Sequence, residues 1–311
     1  MSGEGDLIAR LRALAPHPAA RGLLDDAAVL PAPVGRDLVL THDMLVEGVH
    51  FLPDCPPGDV AWKLLAVNLS DLAAKGATPI GVLMGYGLTG DTAWDAAFVD
   101  GLARALTHFN VSLLGGDTVA QPSGQARVLG LTAVGQAPAG GVPDRRGAKA
   151  GDRLWVTGPI GDAGLGLQIA LGQIEGPRRL LKAYRLPMPR LALGRALAPH
   201  VSAMADVSDG LLIDARRIAA ASGLAVTIDL AAVPLSDEAK TLGLDPLTAA
   251  TAGDDYQLLF ATSSVDVERI AAEHRAAASP IGYFEEGEGL ALVDAGTPID
   301  LPASLGWEHG A

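Results

Sequence analysis

The chain has 311 residues, 49% of them hydrophobic and 19% charged, which is enough apolar material for packed cores and enough length for two domains. Its formal net charge of -13 disfavours nucleic acid and anionic membrane surfaces as partners. An acidic protein that binds phosphorylated small molecules usually needs cations between its carboxylates and the ligand, so the composition points to metal.

A single cysteine, Cys55, excludes an internal disulfide framework and a cysteine-based metal site, and it leaves carboxylates as the available ligands. One cysteine also fits a reducing compartment. The N-terminal segment lacks the apolar core of a signal peptide, and no run of 18 uninterrupted apolar residues occurs later. We therefore predict a cytoplasmic protein that does not enter a membrane.

Hydrophobic spacing in the first half of the chain alternates between the helical and the extended period, which predicts an α/β domain. In chain order, the predicted elements are a helix over 5–15, a strand over 38–43, helices over 60–75 and 97–109, and strands over 111–118 and 127–137.

A segment dense in Gly, Pro and Ala between Gln136 and Asp152 predicts a connection between domains, and we place the boundary so that the domains span 1–138 and 139–311. The second half again mixes strands and helices, which predicts α/β or α+β packing. Its predicted elements are a strand over 153–158, a Gly-rich turn and helix over 161–172, a helix after residue 209, and strands over 225–230 and 256–262.

Acidic residues recur at the ends of these elements. Clustered carboxylates repel one another unless hard cations such as Mg²⁺ neutralise them, so acids that converge on a cleft would indicate a metal site. Each acid alone is also explained as a helix cap or turn residue. The acids in question are Asp25, Asp26, Asp43, Asp71, Asp117, Asp206, Asp209, Asp254 and Asp255.

Asp71 is the hardest of these to explain as a cap, because it falls in the middle of a predicted helix, where Asp has poor propensity. Asn68 and Lys75 share its helical face. The alternative is a solvated polar stripe with an Asp71–Lys75 ion pair.

Two glycine-containing segments could approach a phosphate. The helix that starts after Ser208 and Asp209 offers either a phosphate site or a capped N-terminus, and the sequence alone leaves both open. The glycines of GPIGDAGLG, residues 158–166, could cradle phosphate or serve packing, and they do not match a P-loop. His50 could contact an anion or be a partly buried polar group.

The ordered motifs LLDDAAVL, VEGVHF, LAVNLSDLAAKGATP, LLGGDT, RRGAKAGD, VTGPIGDAGLGL, ADVSDGL and AGDDYQLLF resemble thiamine-monophosphate kinases. These belong to the superfamily of aminoimidazole ribonucleotide synthetase, selenophosphate synthetase and the hydrogenase maturation factor HypE. The resemblance implies a two-domain PurM-like fold, with an N-terminal α/β domain that contributes strands to a dimeric barrel-like sheet and a C-terminal α+β domain that closes the nucleotide cleft.

The resemblance also implies a reaction and the residues that carry it. ATP would phosphorylate thiamine monophosphate directly, with several Mg²⁺ ions and without a phosphoenzyme; a need for K⁺ stays open. Metal ligands would be Asp26, Thr41, His42, Asp43, Asp71, Asp117, Asp206 and Asp209. ATP would contact Gly116, Asp117, Arg145 and Ser208, and thiamine phosphate would contact His50, Asp254 and Trp307.

Three positions depart from the family pattern. Leu24 stands where Gly is common, His42 where Thr is usual, and Asp254 where Glu is usual. Two alternatives remain: another ATP-using member of the superfamily, such as aminoimidazole ribonucleotide synthetase, or a non-catalytic nucleotide-binding regulator on the same frame. Selenophosphate synthetases and HypE proteins carry a cysteine at positions that Cys55 does not occupy.

Overall fold

A computed structural model describes residues 3–122 and 124–308. The chain divides into two compact units, one formed by Met1–Leu72 and Thr78–Ala137, the other by Ala73–Ala77 and Pro138–Ala311. Residues Ala73–Ala77 belong to the second unit, although the residues on both sides of them belong to the first. A single boundary in the sequence therefore cannot divide the chain into these two units. The domain division at 138/139 stays a prediction.

The first unit is a four-stranded sheet with three helices. The strands run in the order β1-β4-β2-β3; β4 is antiparallel to β1 and β2, and β2 and β3 are parallel. A parallel pair requires a crossover, which the helix between β2 and β3 provides. The elements are α1 (Gly3–Ala13), β1 (Leu38–Val46), α2 (Pro57–Ala74), β2 (Thr78–Leu88), α3 (Thr92–Phe109), β3 (Ser112–Ala120) and β4 (Val128–Gln136), with a 3₁₀ segment at Pro18–Leu23.

The two faces of this sheet differ in burial. Val82, Met84 and Tyr86 of β2 are buried, and the Tyr86 ring packs against Phe98 of α3. The Tyr86 hydroxyl donates to Asp95 at 2.7 Å, and burial is the largest cause that raises the pKa of both groups. The opposite face exposes apolar side chains, as the strict in-and-out alternation of strands requires. These are Leu38, Leu40, Met44, Leu83 and Val119.

The second unit is a seven-stranded mixed sheet in the order β11-β10-β7-β9-β5-β8-β6. Its strands are β5 (Arg153–Thr157), β6 (Ala203–Asp206), β7 (Leu224–Asp229), β8 (Leu258–Thr262), β9 (Ala278–Glu286), β10 (Gly289–Asp294) and β11 (Thr297–Ile299). Its helices are α4 (Asp162–Ala170), α5 (Arg178–Arg185), α6 (Leu191–Leu197), α7 (Leu211–Ser222), α8 (Asp237–Thr241), α9 (Pro246–Thr251) and α10 (Val267–Glu273).

Helices cover both faces of this second sheet. On one face, Leu212 and Ile218 of α7 belong to the same core cluster as Val226 and Phe284. On the other, α6 and α10 pack into a cluster with Trp155, Met204 and Phe260. The predicted α/β and α+β character is confirmed. No helix in the described part of the chain has both the length and the apolar character needed to cross a bilayer.

Candidate active site

In the first unit, the polar residues of β1 and α2 meet on the helix-covered face of the sheet. The Thr41 hydroxyl donates to Asp71 of α2. One turn earlier in α2, the Asn68 side-chain oxygen Oδ1 accepts from the Asp43 backbone N–H at 3.0 Å. The mid-helix position of Asp71 is therefore explained by a tertiary contact with β1. Thr41, Asp43 and Asp71 form one group.

His42 lies on the opposite face from Thr41 and Asp43, because neighbouring residues of a strand point to opposite sides. Its Nδ1 contacts the Thr132 hydroxyl of β4 at 2.9 Å. The register pairs His42 with Thr132, and Thr132 with Leu83, so His42 belongs to the open face of the sheet.

A cavity of about 720 Å³ lies on that open face. It gathers five of the residues singled out in the sequence, namely Asp25, Asp26, His42, Gly116 and Asp117. Apolar side chains of α1 and β3, including Ile8, Leu11 and Leu113, line the rest of it. Gly116 is required by close packing, since a Cβ there would lie 2.0 Å from the Met84 carbonyl oxygen.

The hydroxyl and carboxylate oxygens of Thr41, Asp26, Asp43, Asp71 and Asp117 suit magnesium by type, whereas the imidazole nitrogens of His42 do not. No group of three or more His, Cys, Asp or Glu side chains in residues 3–122 and 124–308 forms a complete metal cage. Mg²⁺ usually binds one or two carboxylates and completes its shell with water and substrate phosphates, so the residues present fit such partial sites.

His50 is oriented by the loop that follows β1. Its Nδ1 accepts from the Val46 backbone N–H at 3.0 Å, and its carbonyl accepts from the buried Lys63 Nζ at 3.0 Å. Because Nδ1 acts as an acceptor, the neutral imidazole carries its proton on Nε2. Arg127 and Glu47 form an ion pair at 3.0 Å that anchors the same loop.

In the second unit, the Ser208–Asp209 loop between β6 and α7 is held by a buried carboxylate that the sequence analysis did not single out. Asp214, only 1% exposed, accepts from the backbone N–H groups of Ser208 at 3.0 Å and Asp209 at 3.1 Å. Arg217 bridges Asp214 and Asp209. Asp214 thus holds two amides that precede α7, whereas Gly210, at the N-cap position of that helix, gives it no side-chain cap.

A second carboxylate, Asp255, is half-buried and holds the next segment. It accepts from the backbone N–H groups of Gly161 at 2.7 Å and Ala163 at 3.3 Å, at the start of α4. Burial raises the pKa of Asp255 to about 8, and the two backbone hydrogen bonds oppose that rise. Asp255 therefore occupies the amides that a phosphate would have used.

The glycines of the Gly-rich segment serve close packing, as the alternative explanation held. A Cβ on Gly166 would lie 2.1 Å from the Leu180 carbonyl oxygen, and one on Gly164 would lie 2.7 Å from the Ala252 Cβ. Gly161 adopts φ of +86°, a backbone conformation that side chains disfavour.

Two predicted contact residues, Asp254 and Trp307, bond to the Ser208–Asp209 loop. The Asp254 backbone N–H donates to the Ser208 carbonyl at 2.8 Å, and the Trp307 N–H donates to the Asp209 carbonyl at 2.8 Å. Asp254 has φ of +70°, and its carboxylate accepts from the Tyr256 hydroxyl at 2.9 Å. The structure thus brings Ser208, Asp209, Asp254 and Trp307 together.

The two remaining predicted site residues of this unit are Asp206 and Arg145. Asp206 ends β6 and is 5% exposed. Arg145 begins a short 3₁₀ turn, is exposed, and offers its carbonyl to the Ser222 hydroxyl at 3.2 Å.

The raised pKa of Asp255 gives a pH-dependent stability with a definite sign. Between its ordinary value of 3.8 and about 8, the folded protein keeps a proton that the unfolded chain releases. The contribution of Asp255 to stability is complete at low pH and declines as pH rises through that interval. In Asp255→Asn, which cannot titrate, denaturant unfolding at about pH 5 and about pH 8 should show a smaller loss of stability than in the wild type. Parallel changes in the two proteins would contradict the raised pKa.

Comparison with known proteins finds relatives that match almost the whole chain. Residues 24–137 match the N-terminal domain of AIR synthase related proteins, and residues 149–295 match the C-terminal domain. The thiamine-monophosphate kinase of Caulobacter vibrioides is 45% identical over 324 residues, which cover 99% of this chain and 91% of that protein.

Two solved structures share the fold at significant sequence identity. The thiamine-monophosphate kinase of Stenotrophomonas maltophilia is 34% identical with a TM-score of 0.83, over 94% of this chain and 96% of that one. AaThiL complexed with AMPPCP and TMP is 30% identical with a TM-score of 0.77, over 90% and 89%. The predicted PurM-like, two-domain fold is confirmed by these matches. The chain belongs to the AIR synthase related family and, within it, to the thiamine-monophosphate kinases.

Proposed function

We propose that this protein transfers the γ-phosphoryl group of ATP to thiamine monophosphate and forms thiamine diphosphate and ADP. The observation that carries the proposal is the 45% identity to a thiamine-monophosphate kinase over 99% of the chain. A related structure, AaThiL, was solved with AMPPCP and TMP, an ATP analogue together with a second phosphorylated ligand.

The step itself needs no protein nucleophile. An oxygen of the acceptor phosphate, already ionised at neutral pH, forms a bond to the γ-phosphorus while the bond from that phosphorus to the β–γ bridging oxygen breaks, and ADP leaves. The protein must bring two anions together in line and exclude water, which is work for binding and positioning groups. The carboxylates gathered in each unit would repel these anions by themselves, so they serve this demand as ligands of bound cations.

We assign residue roles within the proposal by unit. In the first unit, Thr41, Asp43 and Asp71 lie together, and Asp26, His42, Gly116 and Asp117 share the cavity. In the second, Ser208, Asp209, Asp254 and Trp307 share one hydrogen-bonded network. Magnesium bound at the carboxylates would neutralise the negative charge that develops on the phosphoryl oxygens. The metal ligands would be Asp26, Thr41, His42, Asp43, Asp71, Asp117, Asp206 and Asp209, and the substrate contacts Gly116, Asp117, Arg145, Ser208, His50, Asp254 and Trp307.

The proposal is tested by ADP release from ATP and Mg²⁺ with a panel of acceptors. We expect ADP with thiamine monophosphate and none with free thiamine, which lacks the attacking phosphate. An aminoimidazole precursor serves as the control for the alternative superfamily activity. If the precursor is the one acceptor that gives ADP, the proposal is contradicted and the alternative superfamily activity is favoured. Nucleotide binding without turnover of any acceptor would favour a non-catalytic regulator.

Trp307 gives a prediction about the acceptor. Its side chain is 53% exposed, whereas its backbone N–H is tied to Asp209, so an aromatic ring is presented beside the predicted substrate residues. In Trp307→Ala we expect the KM for thiamine monophosphate to rise roughly tenfold, the scale of one lost aromatic contact, while the KM for ATP changes little. Equal changes in both KM values would remove Trp307 from the acceptor site.

We also propose a homodimer and a cytoplasmic location. The exposed apolar side chains on the open face of the first sheet support association, because large exposed apolar patches commonly mark interaction surfaces. Sedimentation of the purified protein would give the oligomeric state directly.

A further inference from the structure

Arg190 is a half-buried cation in the segment that joins α5 to α6, and the sequence analysis did not single it out. Its Nε donates to the Gln257 side-chain oxygen at 3.0 Å. That is the only hydrogen bond of the Arg190 side chain among the described residues. Neither Nη1 nor Nη2 has an acceptor in residues 3–122 and 124–308, and neither is sealed from solvent. One edge of the guanidinium is thus fixed while the other edge stays accessible.

No carboxylate within the described ranges lies within ion-pair distance of Arg190, although the chain carries 36 acidic residues. Burial alone lowers the pKa of its guanidinium, and no neighbouring charge compensates for it. A cation removed from water without a partner costs free energy, so such residues are normally paired. The accessible Nη1–Nη2 edge of Arg190 therefore leaves room for an anion from outside the chain.

The segment around Arg190 also has more positive charge than its acidic partners neutralise. Residues 178–190 contain five of the 23 basic residues of an acidic chain. Arg179 is paired with Asp162 and Glu238, at 2.9 and 3.2 Å. The Arg185 Nε is buried and has no acceptor among the described residues. The segment therefore concentrates positive charge that is only partly neutralised.

Gln257 connects Arg190 to the network of predicted substrate residues. Its backbone carbonyl accepts from the Val207 N–H at 2.8 Å, and Val207 immediately precedes Ser208. Its side-chain oxygen also accepts from the Thr157 hydroxyl at 3.0 Å, at the C-terminal end of β5. The fixed edge of Arg190 is thus attached to the strand that follows Asp254 and Asp255.

We propose that Arg190 binds a phosphate oxygen of one of the two substrates through its Nη1–Nη2 edge. The inference rests on the proposed function for the identity of the substrates and goes beyond it by adding a cationic contact to a site otherwise composed mainly of acids. A guanidinium edge matches two phosphate oxygens in a bidentate contact, which a lysine ammonium cannot reproduce. The source of the phosphate is ATP or the acceptor, and the experiment separates the two.

A structural role for Arg190 predicts the opposite stability effect from a ligand-binding role. In Arg190→Met, the Gln257 oxygen keeps its bond from Thr157, and a half-buried charge is removed. An unfilled anion site therefore predicts a melting temperature equal to or above that of the wild type. Arg195→Met is the matched control, since it removes the same charge from an exposed position in α6.

The test measures melting temperature and calorimetric binding of AMPPCP with Mg²⁺ and of thiamine monophosphate, in the wild type, Arg190→Met, Arg190→Lys and Arg195→Met. We expect Arg190→Met to weaken one ligand by roughly tenfold or more, the loss of a charge-assisted hydrogen bond, with partial recovery in Arg190→Lys and no change in Arg195→Met. The weakened ligand identifies the phosphate. Because binding needs no turnover, these results stand apart from whether thiamine diphosphate forms.

Two results overturn the inference. Unchanged affinity for both ligands in Arg190→Met would remove Arg190 from the site. A marked loss of thermal stability in ligand-free Arg190→Met, or failure of that variant to fold, would show that the guanidinium is a structural group.

Discussion

Replacing Asp71 by Asn is expected to lower kcat by about 1000-fold while the fold stays intact, because a neutral amide cannot share in neutralising a bound cation. Asp71 is partly exposed and lies at the surface of a helix whose Leu69 and Leu72 are fully buried. Asn preserves its size and can still accept from the Thr41 hydroxyl. Steady-state kinetics and a thermal melt on the same preparation test both halves of the prediction.

Asp54→Asn is the matched control for this variant. Asp54 is an exposed acid in the loop between β1 and α2, in the same unit as Asp71. Its substitution removes one negative charge and should leave kcat unchanged. Full activity in Asp71→Asn would exclude Asp71 from the reaction, and equal losses in both variants would indicate a general effect of charge.

Replacing Asp214 by Ala is expected to destabilise the protein by about 3 kcal/mol and to abolish most of the activity, because a buried carboxylate with several partners is lost. The amides of Ser208 and Asp209 lose their acceptor, and Arg217 keeps only Asp209. The loop that carries two predicted contact residues is then anchored to α7 by the Arg217–Asp209 ion pair alone. Denaturant unfolding monitors the stability.

Asp237→Ala provides the comparison, since that carboxylate is fully exposed at the start of α8. Its loss should change stability by no more than about 0.5 kcal/mol, the range of ordinary surface substitutions. A similarly small change in Asp214→Ala would mean that the Ser208–Asp209 loop is held by other contacts.

The longer, periodic elements of the fold were predictable from the sequence. Helix α3 has amphipathic spacing and α2 is a long apolar segment without an internal proline, and their predicted and observed limits agree within five residues. Strand β2 was missed because TPIGVLMGYGL contains a proline and three glycines, which normally indicate a turn or a weakened strand. Its neighbours on both sides, β4 and β3, stabilise it instead.

Individual site residues were predictable where the neighbouring sequence makes them unusual. Asp71 stood out as an acid in mid-helix. Asp214 lies in the first turn of α7, where acids are common, and its one signal was that it interrupts the apolar face formed by Leu211 and Ile218. Asp255 offered no such signal, because nothing local distinguishes it from Asp254. The lack of an ion-pair partner for Arg190 could not be predicted, because it depends on which acids lie nearby in three dimensions, and only the fold determines that.

The most direct test of the account follows the γ-phosphoryl group itself. With γ-labelled ATP, thiamine monophosphate and Mg²⁺, the account predicts that the label appears in the terminal phosphate of thiamine diphosphate, in equal amount to ADP, and that none remains on the protein. Release of the label as inorganic phosphate, or its retention on the protein, would contradict direct transfer between the two substrates.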